Sequence, residues 1–201
     1  VNNVGILLRG KSLTRVKSIH KTFNCCYIVN DFKKEIRKVE PYIKGKEIIH
    51  VVNSMDDAGL RRVDYKDFNI KKMVFAFTRE MYKRSRPIER HYKKMGVPNH
   101  EYFPDSYTER LLQTRNTGLN SILYVSDIIR PKNIWIVGLE FYQEDYLVKK
   151  NSKHHSKKAK KIKMIETFLD IVREHPNISY YMITYCKELP NDINNLHITE
   201  A

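Results

Sequence analysis

Lys132–Tyr142 reads KNIWIVGLEFY, an apolar run that stops at a glycine and passes into an acid and two aromatics. The run predicts a buried strand over Ile134–Val137. Open α/β sheets bind ligands beyond the C-terminal ends of their strands. Gly138, Glu140 and Tyr142 therefore fall where a crevice would open. The N-terminus repeats the pattern: VGILLRGKS, residues 4–12, reads as a strand, a glycine turn and a helix start.

Working outward, short apolar runs predict strands at Val4–Leu8, Cys25–Val29, Ile48–Val52, Lys72–Phe77 and Ile178–Thr184. Helical patterns fall between them at Ser12–Phe23, Phe32–Val39, Thr117–Ile129 (closed by Pro131) and Lys158–Glu174 (closed by Pro176). Residues 79–107 read as irregular and basic, broken by Pro87, Pro98 and Pro104. Strands alternating with helices imply right-handed βαβ crossovers. The expected fold is one α/β domain over residues 1–201, a doubly wound Rossmann-like domain with a mostly parallel sheet.

Hydrophobic residues make up 41% and charged residues 30%, a balance that suits a globular chain rather than a disordered one. No apolar run is long enough to span a membrane, and no N-terminal pattern reads as a signal peptide. The expected location is cytoplasmic or peripheral to a membrane. The chain starts at Val1 without a methionine, which leaves an upstream leader or anchor open. The net charge of +14 favours an anionic partner: nucleic acid, an acidic membrane surface, or phosphorylated and carboxylated small molecules. The densest basic stretch, Lys149–Lys163, is the candidate for a membrane or other anionic surface. Cys25, Cys26 and Cys186 have no metal-site spacing and read as reduced structural thiols, the adjacent pair facing opposite sides of a strand.

Several residues at predicted strand ends carry chemistry. Gly10 lets backbone approach a phosphate at a helix start, with Arg9 and Lys11 adding charge; the plain reading is a turn with Ser12 as helix cap. Neither GxGxxG nor GxxxxGK[ST] occurs. Asn30 and Asn53 follow successive strands, where carboxamides can read a base or ribose edge or simply terminate turns. Thr117 could cap its helix or, with Gly118, meet an anion. His154-His155 offers a general base, or a solvated patch. The His-His-Ser-Lys run lacks zinc-site spacing and no DxD motif is present, so no metal site is inferred.

Taken in order, Gly10, Ser12-Leu13, Asn30, Asn53, Thr117-Gly118, Gly138-Leu139-Glu140-Phe141-Tyr142 and His155-Ser156-Lys157 resemble the motif series of the bacterial sialyltransferases of glycosyltransferase family 42. The likeness spans nearly the whole chain, loosely over residues 54–110; GLEFYQ followed by HSK is its specific part. The resemblance implies a variant GT-A fold and metal-independent transfer, with inversion, from a CMP-sialic acid donor to a glycan hydroxyl, with no cofactor. His155 would be the base, and Tyr142 and Tyr146 would hydrogen-bond the departing CMP phosphate. Arg9, Gly10, Ser12, Asn30, Asn53, Thr117, Gly118 and Glu140 would form the donor pocket. Independently of the resemblance, a homo-oligomer stands among the expected partners.

The departures bear on activity. Arg9 stands where the family has Asn, and Lys11 where it has Pro. The segment from Tyr146 to His155 is much shorter than the family's lid, which favours donor hydrolysis. Two other readings stay open. One is a basic nucleic-acid-binding module using the lysines with Tyr27, Tyr82, Tyr92, Tyr102 and Tyr107 as stacking surfaces, although no recognised nucleic-acid motif occurs. The other is a sialyltransferase-like protein that has lost catalysis.

Overall fold

Runs such as CCYIV and NIWIV are apolar at almost every position, the pattern of strands covered on both faces of a parallel sheet. A computed structural model describes residues 2–30, 32–53, 62–82, 99–114, 116–141, 147 and 158–201. Its strands are β1 (Asn3–Leu7), β2 (Cys25–Val29), β3 (Glu47–Val52), β4 (Ile70–Thr78), β5 (Asn99–Phe103), β6 (Asn133–Val137), β7 (Ser179–Thr184) and β8 (Leu196–Glu200). They form one sheet in the order β5-β4-β3-β2-β1-β6-β7-β8. Every neighbouring pair is parallel, so the sheet is wholly rather than mostly parallel. The chain is a doubly wound α/β, Rossmann-like domain.

Strand order reverses at β1. The chain steps outward from β1 through β5, then returns to place β6 on the other side of β1, pairing Leu7 with Val137. This is the topological switch point, where loops leaving adjacent strands diverge to opposite faces.

Two core layers flank the sheet. One holds Cys25, Tyr124, Ile134 and Phe168; the other holds Cys26, Phe32, Ile36 and Val137. The adjacent cysteines thus face opposite layers as strand alternation requires, and burial, with Glu47 adding, pushes the Cys25 thiol up to about 12.

The helices are α1 (Val16–Ile19), α2 (Lys33–Ile43), α3 (Arg62–Asp67), α4 (Arg79–Tyr82), α5 (Thr108–Thr114), α6 (Thr117–Tyr124) and α7 (Lys158–Glu174). α6 runs on into a π turn over Val125–Ile129, so the expected span Thr117–Ile129 forms in two parts. Phe168 on α7 is fully buried, 5.7 Å from the Phe141 ring centroid. Phe168→Ala should cost about 3–5 kcal/mol of stability, measured by urea unfolding. A loss below about 1 kcal/mol would mean that α7 does not seal this face.

Four expectations are corrected. Ser12–Phe23 is not one helix: 3-10 turns at Lys11–Arg15 and His20–Thr22 flank the single α-turn of α1. The hydroxyls of Thr14, Ser18 and Thr22 donate to the carbonyls of Lys11, Arg15 and Ile19, three residues back, in competition with regular helical bonding. Residues 79–107 are not wholly irregular, because β5 forms one edge of the sheet. Ile178–Thr184 is not the last strand, because β8 forms the other edge. Both edge strands carry mainly polar, incompletely buried residues. α2 also outruns its expected end at Val39, since Pro41 in the last turn removes only one helical hydrogen bond while Ile43 is fully buried.

Candidate functional site at the carboxyl edge of the sheet

At the switch point the turns after β1 and β6 are zipped together. Leu8 N donates to Val137 O at 2.8 Å, and Gly10 N to Gly138 O at 2.9 Å. A Cβ on Gly10 would lie 2.4 Å from Glu140 Cγ and 2.6 Å from Gly138 O. Gly138, at φ +84, would set a Cβ 2.2 Å from Leu8 O. Both glycines therefore serve close backbone approach, and Gly138 a left-handed turn as well.

Side chains finish the clamp. The fully buried Ser12 Oγ accepts from Gly138 N at 2.9 Å. The 3-10 turn starts instead from Gly10, which caps it without a side chain, so Ser12 is not the cap that its position suggested. Glu140, 4% exposed, accepts from Ser12 N on Oε1 at 3.0 Å, and from Thr184 Oγ1 at 2.9 Å and Tyr185 N at 2.8 Å on Oε2. One carboxylate thus ties the loops after β1, β6 and β7. Phe141, at φ 48, turns inward onto α7. Ser12 and Glu140 lie beneath the surface of this edge, where they shape it through the backbone they hold.

Arg9, next to the clamp, extends its Nε to Glu35 Oε1 on α2 at 3.3 Å. Its carbonyl accepts from Leu147 N at 2.7 Å, which brings the chain beyond β6 back over the turn after β1.

One and two strands away, Asn30 and Asn53 are bonded to each other: Asn53 N donates to Asn30 Oδ1 at 3.1 Å. Asn30 sits at φ 56, a left-handed conformation that asparagine tolerates better than most residues. Its N–H donates to Val51 O at 2.8 Å, while its carbonyl accepts from Phe32 N at 2.8 Å. A residue that the sequence reading passed over supports this turn. His50 on β3 is fully buried, with Nε2 2.7 Å from Asn30 O and Nδ1 2.7 Å from Tyr65 Oη on α3. A lone histidine in the apolar run EIIHVV gave no signal beyond that of a core position.

On the other face, Asn116 rather than Thr117 caps α6, its Oδ1 accepting from Leu119 N at 2.9 Å. Thr117 is the first helical residue and is buried; Gly118 lets the helix start approach Leu8, whose Cδ2 would lie 2.4 Å from an added Cβ. One turn further, Asn120 donates to Ala76 O, and its buried Oδ1 has no partner among the described residues. Such an acceptor is satisfied by a bound water or by a donor from a ligand.

The edge thus brings together Arg9, Gly10, Ser12, Asn30, Asn53, Thr117, Gly118 and Glu140 from four adjacent strand ends and one helix start. Tyr142, Tyr146 and His155 lie outside the described residues, as does most of Lys149–Lys163. Comparison with protein-family models, curated proteins and solved structures returned no match.

Proposed function

We propose that the protein is a sialyltransferase-like glycosyltransferase, moving sialic acid or a related acidic sugar from a CMP donor to a glycan hydroxyl, with inversion and without a metal. The observation that carries this reading is a convergence. Residues 10, 12, 30, 53, 117–118 and 138–140, scattered along the chain and singled out by one motif series, meet at the sheet edge where strand order reverses. Open α/β sheets bind nucleotides at that position.

In this reading the turn after β1, Asn30 and Asn53 hold the nucleotide, while the buried Ser12 and Glu140 fix the floor. Tyr142 and Tyr146 donate hydrogen bonds to the phosphate of CMP as it departs, stabilising charge that develops in the transition state. The Leu147 N–H bond to Arg9 O anchors the chain just past Tyr146 beside the nucleotide turn, which suits that role. His155 removes the proton from the acceptor hydroxyl as the sugar carbon departs from the phosphate. With only a short segment between Tyr146 and His155, water competes with the acceptor, so slow donor hydrolysis accompanies transfer. The lysines of Lys149–Lys163 serve an anionic acceptor or membrane. The nucleic-acid reading is weaker, since Tyr27, one of its stacking candidates, is 2% exposed and forms part of the core.

The test is CMP release from CMP-sialic acid in EDTA, followed by chromatography. His155→Ala should lower release by roughly 10²- to 10⁴-fold with CMP binding retained. CMP binding without release in the wild type would indicate an inactive relative. Neither release nor CMP binding would sink the proposal and return attention to nucleic acid.

A further inference from the structure

Tyr65, His50, Asn30 and Asn53 are joined by successive hydrogen bonds, and chemistry fixes the direction of two of them. Asn30 O is a carbonyl and can only accept, so His50 Nε2 carries a proton and donates to it. The buried Tyr65 places its Oη 2.7 Å from His50 Nδ1. Burial, with Asp64 adding, pushes the Tyr65 phenol far up, so it keeps its proton and is able to donate. With Nε2 donating to Asn30 O, Nδ1 is the nitrogen that can accept from the phenol, an arrangement that suits the Nε2–H tautomer. At the far end, Asn53 N is a donor, so the oxygen of the Asn30 carboxamide must face it. That leaves the Asn30 NH2 as the group presented at the half-exposed edge; among the described residues no acceptor engages it.

We infer that His50 is a positioning residue: it holds Asn30 in its left-handed turn so that the site offers paired N–H donors, and therefore selects a ligand bearing an acceptor there, such as a pyrimidine carbonyl. This rests on the nucleotide reading above and gives it a direction, since a group that can only donate, such as an ammonium, would meet a donor there and be rejected. His50 never touches the ligand. It acts through the Asn30 carbonyl, and Tyr65 acts through His50. The left-handed turn is strained and is held by hydrogen bonds, so losing the Nε2 bond frees the turn to relax.

The experiment compares wild type with His50→Gln, His50→Leu and Tyr65→Phe, measuring the dissociation constant of CMP by calorimetry. Two-bond ¹H–¹⁵N correlation spectra of the imidazoles report the tautomer. The expected results are an Nε2–H spectrum in the wild type and CMP binding about tenfold weaker in His50→Leu. His50→Gln, which keeps an N–H for the Asn30 carbonyl, should restore most of that affinity, and Tyr65→Phe should mix the tautomers. A residue that merely fills space would make Gln as harmful as Leu. Unchanged CMP affinity in a folded His50→Leu protein, or an Nδ1–H or doubly protonated imidazole in the wild type, overturns the inference while leaving the nucleotide reading intact. A wild type that binds no CMP overturns both.

Discussion

Gly138→Ala is expected to destabilise the protein by roughly 3–5 kcal/mol, a large share of the 5–15 kcal/mol that holds a domain together. Two costs add. A non-glycine residue at φ +84 carries left-handed strain of about 1 kcal/mol or more. The new methyl would also stand 2.2 Å from Leu8 O and 2.6 Å from Leu8 C, both backbone atoms that cannot swing aside. Moving them would break the Leu8–Val137 and Gly10–Gly138 hydrogen bonds together. Gly45 separates the two costs, because it has φ +83 with nothing within 4 Å of an added Cβ. Gly45→Ala should therefore lose only about 1 kcal/mol. Urea unfolding of the two variants checks the difference; equal losses would show that the backbone contact at Gly138 has no energetic weight.

Glu140→Ala should cost a similar amount for a different reason. It strips the acceptor from Ser12 N and Tyr185 N, backbone donors that cannot turn away, while Thr184 Oγ1 keeps Leu139 O at 2.8 Å. Each buried donor left without a partner costs about 1–3 kcal/mol, so a total of roughly 3–5 kcal/mol is expected. Glu140→Gln should fall between, at about 2 kcal/mol, because its NH2 must face a backbone N–H at one end. Thermal and urea unfolding decide the matter. If Glu140→Ala unfolded like the wild type and lost only CMP binding, the carboxylate would belong to the ligand rather than to the clamp.

These two residues show how far the sequence could be read. KNIWIVGLEFY announced a buried strand, and β6 forms there; that it ends at the switch point emerges only from the strand order. The glycine and the acid suggested ligand contact, yet Gly138 and Glu140 are consumed in joining three loops. Nothing in one sequence says which loop will come back to meet an acid. The alternation of apolar runs gave β2 at its observed limits and β1, β3, β4, β6 and β7 within a few residues, because strands buried on two faces are apolar throughout. β5 and β8 escaped because an edge strand can satisfy the sheet with one buried residue, as NHEYF does with Phe103 and LHITE with Leu196. Thr117 and Ser12 were plausible caps on local grounds, and position along the helix decided against one and a partner 126 residues away against the other. His50 was invisible for a related reason: its importance lies in the carbonyl and phenol it meets, and both belong to distant turns.

The pairing of β1 with β6 also fixes an order of assembly on the ribosome. β2, β3 and β4 follow β1 closely and can pair with it or with one another as the nascent chain lengthens. The other flank of β1 stays bare until Val137, the partner of Leu7, has been synthesised and has left the exit tunnel. At synthesis rates of roughly 5–20 residues per second, that wait is on the order of ten seconds. Throughout it β1 exposes an unpaired edge, the kind of surface that recruits chaperones or other nascent chains.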